Sequence, residues 1–318
     1  MADSNSLFGG YGVYFFGDCN QLSPIGDSPW FISMENCMSD NGPLSRVLLL
    51  VRNIQATHIL TQSHRSSNID FVSFLGRIAV GECTKSDLNC LNNLKKRNIN
   101  MLSHKERKSF ANALTLYGTY DEVTDFNNMK LLETGNPVAF VKAQNNCKAA
   151  FKGSDENADG LNNTLFLSIG AKVMLRRNFN VSLGLSNGSI GYIKRIIYYS
   201  GQQPPSVPAF VIVQFQFKSV MASWMRGTTR CVRIQMPFVL SWACTIHKSQ
   251  SLTSSKLNLD IGNKEFTLGL LYVAISRVSD YKSLMLLRNI SLDRLNCVKK
   301  SKYYFLRLKF LDWLETLT

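Results

Sequence analysis

Strand-like and helix-like patterns alternate along much of this chain, and that alternation limits the folds open to it. Phe238–Thr245 is an apolar, β-prone run that stops at the polar turn His247-Lys248-Ser249-Gln250. A second strand pattern follows at Lys256–Ile261, where Leu257, Leu259 and Ile261 alternate. Helical spacing then covers Phe266–Ile275, and a last strand pattern covers Ser283–Leu287. Strand and helix in turn is the mark of an α/β sheet with functional residues past the strand ends. A different pattern lies upstream. Ile190–Tyr199, Ala209–Phe217 and Cys231–Gln235 are short β-rich runs punctuated by the prolines of Gly201–Pro208. That stretch predicts a small β-barrel inserted into the α/β frame.

The remaining segments fit the same scheme. Tyr11–Phe16 reads as a buried strand ending at Gly17-Asp18, and His58–Leu60 as a short strand. Leu44–Arg52 is apolar, either a helix or a short strand. Asp70–Val80 repeats Phe71, Phe74, Leu75 and Ile78 at helical period. Asp87–Ile99 repeats Leu88, Leu91 and Leu94, with Lys95-Lys96-Arg97 as a basic face. Ala113–Leu116 predicts a strand, Asp121–Leu132 a helix that carries Asn127, and Lys302–Leu317 an amphipathic tail helix. Ser154–Asn163 is a polar surface loop, and Ile169–Leu175 is a strand. Asn187-Gly188 between apolar runs predicts a type I′ hairpin turn, which needs two positive φ angles.

Composition narrows the partners. The chain has 318 residues, the length of about two domains, and a formal charge of +14. Such an excess favours a polyanion, either nucleic acid or an anionic membrane face. The apolar runs are too short to span a bilayer, which needs about 20 residues. The eight cysteines show no Cys-x-x-Cys pair and no zinc spacing, so no metal site is expected and a reducing, intracellular setting is. The opening Met-Ala-Asp-Ser-Asn-Ser lacks the features of a secretory signal.

Several local constellations carry chemistry. In Gly17-Asp18-Cys19-Asn20-Gln21 the Gln21 amide both donates and accepts hydrogen bonds, which suits a phosphate contact; a solvated Gln after a turn is the plainer local reading. Thr245, His247, Lys248 and Ser249 are donors suited to backbone phosphates, which position a strand without reading its sequence. Arg65, in Thr61-Gln62-Ser63-His64-Arg65-Ser66, and Arg277, in Tyr272-Val273-Ala274-Ile275-Ser276-Arg277, each read locally as ordinary surface or helix-end cations. No glycine is followed by lysine, so the phosphate-loop pattern is absent.

In their order, these segments resemble the motor motifs of Pif-type DNA helicases, superfamily 1 relatives of RecD. The resemblance rests on Gly17–Pro24, Leu60–Ser67, Gly170–Asn178 with Asn187-Gly188, Thr245–Thr253 and Tyr272–Arg277. Departures are Cys19 where the family carries an aromatic, Ser23 for a second proline, and Ser251 for a glycine. The resemblance implies a RecA-like α/β motor domain with an inserted Src-homology-3-like β-barrel. It implies a remnant of the first RecA-like domain over 1–58, the second over 59–182 and 238–318, and the barrel over 183–237.

It further implies ATP and Mg2+ as cofactors in the full-length helicase. Arg277, Arg65 and Gln21 would act on the transferred phosphate, and Gln250, Gly17 and Asp18 would lie at the nucleotide. Single-stranded DNA would meet Thr245, His247, Lys248, Ser249, Arg176 and Asn187. The implied activity is 5′-to-3′ unwinding in the nucleus, with the mitochondrion as alternative, and roles in DNA repair, recombination and telomere maintenance. Neither Asp121-Glu122 nor Asp155-Glu156 follows an apolar strand as a magnesium-holding pair would. The expectation is therefore the C-terminal portion of a helicase that lacks the motor's N-terminal half and is inactive alone. The alternatives are a non-catalytic nucleic-acid-binding module and a degenerate transposon-derived fragment.

Overall fold

The computed structural model describes residues 7–24, 29, 31, 53–95, 103–155, 157–213, 215–218, 220–250, 252–262, 267 and 269–318. The expected apolar element Leu44–Arg52, the cations Lys96 and Arg97, Glu156, and Ser251 lie outside the described residues. The helices are α1 (Ile69–Val80), α2 (Lys85–Lys95), α3 (His104–Ala111), α4 (Tyr120–Leu132), α5 (Lys148–Phe151), α6 (Leu270–Ile275), α7 (Leu292–Leu295) and α8 (Tyr304–Glu315). The strands are β1 (Leu114–Tyr117), β2 (Ala139–Lys142), β3 (Gln144–Asn145), β4 (Thr164–Leu167), β5 (Lys172–Leu175), β6 (Ile190–Ile197), β7 (Phe210–Val213), β8 (Phe215–Lys218), β9 (Val220–Arg226), β10 (Thr229–Gln235), β11 (Phe238–Leu240), β12 (Ala243–Thr245), β13 (Leu257–Asp260) and β14 (Leu284–Leu286).

Two compact units divide the chain. One joins residues 1–90, 265–276 and 290–318, and the other joins 91–264 and 277–289. In the first, Asn68 caps α1 by accepting from the Phe71 amide, and Gly81 ends it in the left-handed region at φ 70°. Phe71, Phe74 and Ile78 form its buried stripe. The tail helix α8 holds the end of α1: Arg307 donates to the Ala79 carbonyl at 2.6 Å and the Tyr304 hydroxyl to the Val80 carbonyl at 3.1 Å. Asn296 adds a reciprocal pair with the Cys83 backbone. A Cβ at Gly81 would meet the Val298 side chain at 2.7 Å, so glycine is required there on two counts. α1 and α8 fall in the same compact unit as the N-terminal residues.

The second unit contains a parallel sheet in the order β12-β1-β13-β14. Leu114, Thr115 and Leu116 of β1 are all buried, as expected for a strand covered on both faces. A Thr119–Glu122 capping box starts α4, and Val123, Asn127 and Leu131 face inward at four-residue spacing. Asn127 donates to the Ala243 carbonyl at 3.0 Å and accepts from the Ala243 amide at 2.9 Å. It thus supplies β12 with the pairing that a neighbouring strand would give.

Antiparallel sheets also belong to this unit, in the orders β11-β5-β6-β7-β8, β3-β10-β9 and β2-β4. Val141, Leu167, Val173, Ile193, Val211 and Phe238 belong to a core shared by the five-stranded sheet and β2-β4. The buried Arg233 ties β10 to the 145–161 segment through Asn145, Asp155 and the carbonyls of Ala150, Gly153 and Leu161. The partners β3, β5 and β11 lie outside residues 183–237, so the ladders run beyond that segment on both sides.

Several expectations are corrected. Tyr11–Phe16 and His58–Leu60 form no strand; Tyr14 and Phe16 are 85% and 91% exposed. β propensity records fit to a half-buried pleated surface, and no described strand supplies one here. Phe238–Thr245 is two strands, β11 antiparallel to β5 and β12 parallel to β1, so the chain changes sheets at residues 241–242. The turn at Asn187-Gly188 is closed by the Ser189 amide on the Ser186 carbonyl, and only Gly188 takes positive φ, which is the type II pattern rather than I′. Of the helix expected over Phe266–Ile275, Phe266 and Leu268 lie outside the described residues, and α6 covers Leu270–Ile275.

Asn127→Leu would strand the Ala243 amide and carbonyl without partners, at about 1–3 kcal/mol per buried group. A urea titration should show a loss of about 2–4 kcal/mol in unfolding free energy. An unchanged midpoint would remove Asn127 as the clamp on β12.

Candidate nucleic-acid interface and phosphate-facing residues

The carboxyl edge of the parallel sheet is where an α/β fold places its ligand contacts. There β12 ends at Thr245, and a short turn over His247–Ser249 follows. The Ile246 amide donates to the Tyr117 carbonyl at 3.0 Å, which carries the strand pairing up to the edge of the turn. The Thr245 hydroxyl accepts from the Lys248 amide at 3.3 Å, fixing the turn's entry. Lys248 is exposed, and its ammonium lies 5.7 Å from the centroid of the Tyr120 ring. Tyr120 opens α4 and is 58% exposed. A cation over an exposed aromatic face is an arrangement that suits a phosphate and a stacked base together.

His247 is half-buried, and burial pushes its imidazole below the ordinary histidine range. It is therefore neutral at neutral pH. Ser249 departs from its expected role as a phosphate donor. It is 1% exposed, and its hydroxyl donates to the Ile246 carbonyl at 2.7 Å, so it holds the turn from inside. Gln250 is half-buried, with its amide on the His247 carbonyl.

Arg277 belongs to the same unit and is 3% exposed. Its guanidinium donates to the carbonyls of Ser249 and Leu252 at 3.4 and 3.5 Å, and its own carbonyl accepts from the Ser254 amide at 2.8 Å. It braces the segment that follows β12. Arg176 and Asn187 lie farther along the chain's β-rich part. Arg176 is half-buried against Gly160, and Asn187 is exposed, with its backbone amide on the Asn178 side chain. The neighbouring Arg177 is paired with Asp159, which reduces the charge of this basic edge.

In the other unit, Gly17-Asp18 leads into a turn closed by the Gln21 amide on the Asp18 carbonyl at 3.1 Å. The Asp18 carboxylate accepts from the Asn20 amide, the Gln21 side-chain amide and the Tyr272 hydroxyl. Asp18 thus orients Gln21. A Cβ at Gly269 would come within 2.5 Å of the Asn20 carbonyl oxygen, and Gly269 has φ +82°, so this glycine lets the turn seat on the start of α6. Arg65 is exposed and anchored by one bond, 2.7 Å to the Ser276 carbonyl. The Gln21 side-chain amide and the Arg65 guanidinium thus offer phosphate-compatible donors at partly exposed positions, whereas Arg277 is enclosed.

Tyr120, Gly269 and Asn127 are the residues sequence reading passed over as site-forming. Tyr120 had no signal beyond an aromatic at a helix start, and Gly269 none beyond a glycine before an apolar run. Of the acidic pairs, Glu122 is taken up by the capping box and Asp155 by Arg233. No described helix is long and apolar enough to cross a membrane.

Comparison with known proteins adds four findings. The family profile described as DNA helicase Pif1, 2B domain, matches residues 157–196. The chain is similar to ATP-dependent DNA helicase PIF6 of Trypanosoma brucei brucei, 28% identical over 302 residues, covering 88% of this chain and 36% of that protein. It is similar to ATP-dependent DNA helicase PIF1 of Homo sapiens, 26% identical over 294 residues, covering 90% of this chain and 42% of that protein. The chain therefore spans 36% to 42% of the length of these curated relatives. In fold it is similar to the Pif1 helicase from Bacteroides solved with ADP-AlF3 and ssDNA, with a TM-score of 0.67, 23% identity, and coverage of 99% of this chain and 70% of that one.

Two measurements test this geometry. His247 has a folded pKa below its unfolded value of about 6.5. Its contribution to stability is present above that value and is lost as pH falls through the lowered one. Urea titrations from neutral to acid pH should show the decline, and His247→Gln should flatten it. Gly269→Ala forces a left-handed backbone costing about 1 kcal/mol, plus the clash, so the total loss should reach roughly 2 kcal/mol. Wild-type stability for that variant would mean the turn at Asn20 does not rest on α6.

Proposed function

Because this chain is homologous to the C-terminal part of Pif1-type DNA helicases, with a RecA-like α/β sheet and a 2B domain, we propose that it supplies the strand-gripping portion of such a motor. In this reading, single-stranded DNA crosses the carboxyl edge of the parallel sheet. His247 and Lys248 meet its phosphates, and Tyr120 stacks on a base. Thr245 sets the turn, and Arg176 and Asn187 extend the contact along the β-rich part. That part, residues 183–237 with its flanking strands, is the inserted Src-homology-3-like barrel, and residues 1–58 are the remnant of the first RecA-like domain.

ATP with Mg2+ is the fuel of the complete motor in this proposal, and unwinding runs 5′ to 3′. Gln21 and Arg65, with Gly17 and Asp18 shaping the turn, face the nucleotide's phosphates. By resemblance Gln250 is assigned to the nucleotide and Arg277 to its transferred phosphate, while the Arg277 guanidinium is held on the carbonyls of Ser249 and Leu252. The 318-residue chain by itself binds single strands and turns over ATP negligibly, because no glycine-lysine phosphate loop is present in its sequence. The nucleus or the mitochondrion is the setting. The observation that carries the proposal is the exposed Lys248 ammonium over the exposed Tyr120 ring at the sheet's carboxyl edge.

Fluorescence anisotropy with labelled oligothymidylate tests it. Log affinity should fall with log salt by about 0.7 per phosphate contact. Tyr120→Ala should weaken binding roughly tenfold, within the ~1–3 kcal/mol attributed to one stacked base. Lys248→Met should lower both the affinity and the salt slope. A flat salt response, or wild-type affinity in both variants, would overturn the reading of this edge. DNA-stimulated ATP turnover that disappears in Arg65→Ala would overturn the inactivity of the isolated chain.

A further inference from the structure

A cavity of about 240 Å³ opens in the second unit where the start of β1 approaches the segment after the His-Lys-Ser-Gln turn. Its walls include Ser109, Asn112, Lys172, Thr253, Ser255 and Lys256. No aspartate or glutamate lines it. We propose that this cavity is a binding site for a phosphate group, held by the ammonium of Lys172.

Lys172 is the reason. It is 5% exposed, and among the described residues no carboxylate pairs with it. Its ammonium makes one hydrogen bond, 3.0 Å to the Asn112 carbonyl at the C-terminal cap of α3. A lysine has three donors, so the carbonyl uses one. A buried cation is ordinarily paired with an anion, because burial without a partner disfavours the charged form. A carbonyl at a helix end is a weak partial charge and does not replace a full anion. Cys244, the other group that acts on this lysine, has a thiol pushed up to about 12 by burial and is neutral at neutral pH.

The remaining walls suit an oxyanion. Lys256 also lines the cavity and adds positive charge beside it, its ammonium bonded to the Lys282 carbonyl at 2.6 Å and lying over the Phe110 ring. Thr253 and Ser255 are exposed, and their hydroxyls make no hydrogen bond to the described residues. The size is compatible. A water takes about 30 Å³, and sites for whole drug-sized ligands begin near 300 Å³. The cavity has room for a small anion or for one phosphate of a longer molecule.

The phosphate can come from a free anion or from a nucleic-acid terminus, and the test separates them. Calorimetric titration of the full chain with inorganic phosphate and with pyrophosphate, against chloride at matched ionic strength, should show saturable binding at one site. Lys172→Met, which keeps the stem and removes the donors, should weaken it at least tenfold. Where Lys172→Met does not fold, the double variant Thr253→Ala/Ser255→Ala, on exposed positions, should weaken it several-fold with an unchanged circular dichroism spectrum. Oligothymidylate with and without a 5′-phosphate forms the second arm. Tighter binding of the phosphorylated form that vanishes in Lys172→Met assigns the site to nucleic-acid ends. Equal binding of both oligonucleotides beside saturable free-phosphate binding assigns it to a free anion. Absence of saturable binding in every arm, or wild-type binding in a folded Lys172→Met, overturns the proposal. These titrations leave Lys248 and Tyr120 intact, so failure here is separate from failure of the single-strand interface.

Discussion

One side-chain amide determines where the chain's most chemically loaded turn sits. β12 is three residues long and pairs with β1 on one side. On the other, the Asn127 amide takes both the amide and the carbonyl of Ala243. A three-residue strand has few hydrogen bonds with which to fix its register, so a buried two-way clamp at its first residue carries unusual weight. Asn127 can serve because the capping box of Thr119 and Glu122 sets the start of α4, and four-residue spacing turns position 127 inward. Residues near the beginning of the second unit thus position Thr245, His247 and Lys248 more than a hundred residues later in the chain.

Arg277 shows how one residue can answer to two descriptions. Resemblance places it as the arginine that meets a transferred phosphate. Geometry places its guanidinium on the carbonyls of Ser249 and Leu252, and its backbone on Ser254. An alanine at this position removes the brace from the segment after β12 and any phosphate contact at once. Lost activity in such a variant therefore does not by itself report on catalysis. Arg65 is the cleaner probe, since it is exposed and bound by a single hydrogen bond to Ser276.

The elements legible in the sequence were those whose pattern comes from their own burial. Phe71, Phe74 and Ile78 announced α1, the alternating Leu257 and Leu259 announced β13, and Val123 with Leu131 sat on the helix expected from Asp121. Tyr11–Phe16 misled because its aromatic, β-branched composition describes a surface to pack on, whereas its residues are exposed. The division of Phe238–Thr245 between two sheets was invisible because both halves are apolar and only the pairing differs. At the candidate site, the motif residues were named from local chemistry and resemblance. What the sequence could not convey was direction: Ser249 and Lys248 are neighbours of similar polarity, yet one hydroxyl turns into the protein and the adjacent ammonium turns out over Tyr120.

The basic charge of the chain is likewise not a uniform coat. Besides Arg277, three cations of the described residues, Lys172, Arg233 and Arg307, are buried, and they are satisfied to different degrees. Arg233 binds Asp155, Asn145 and three carbonyls, a fork of donors matched to a cup of acceptors. Arg307 meets the Ala79 carbonyl and lies against the Tyr304 ring. Lys172 has one carbonyl and a cavity. If all three existed only to tie backbone segments together, the compact ammonium with free rotation would be the least suited, since it directs few fixed bonds. Its position beside an open, acid-free cavity is what separates a ligand-seeking cation from the two structural ones.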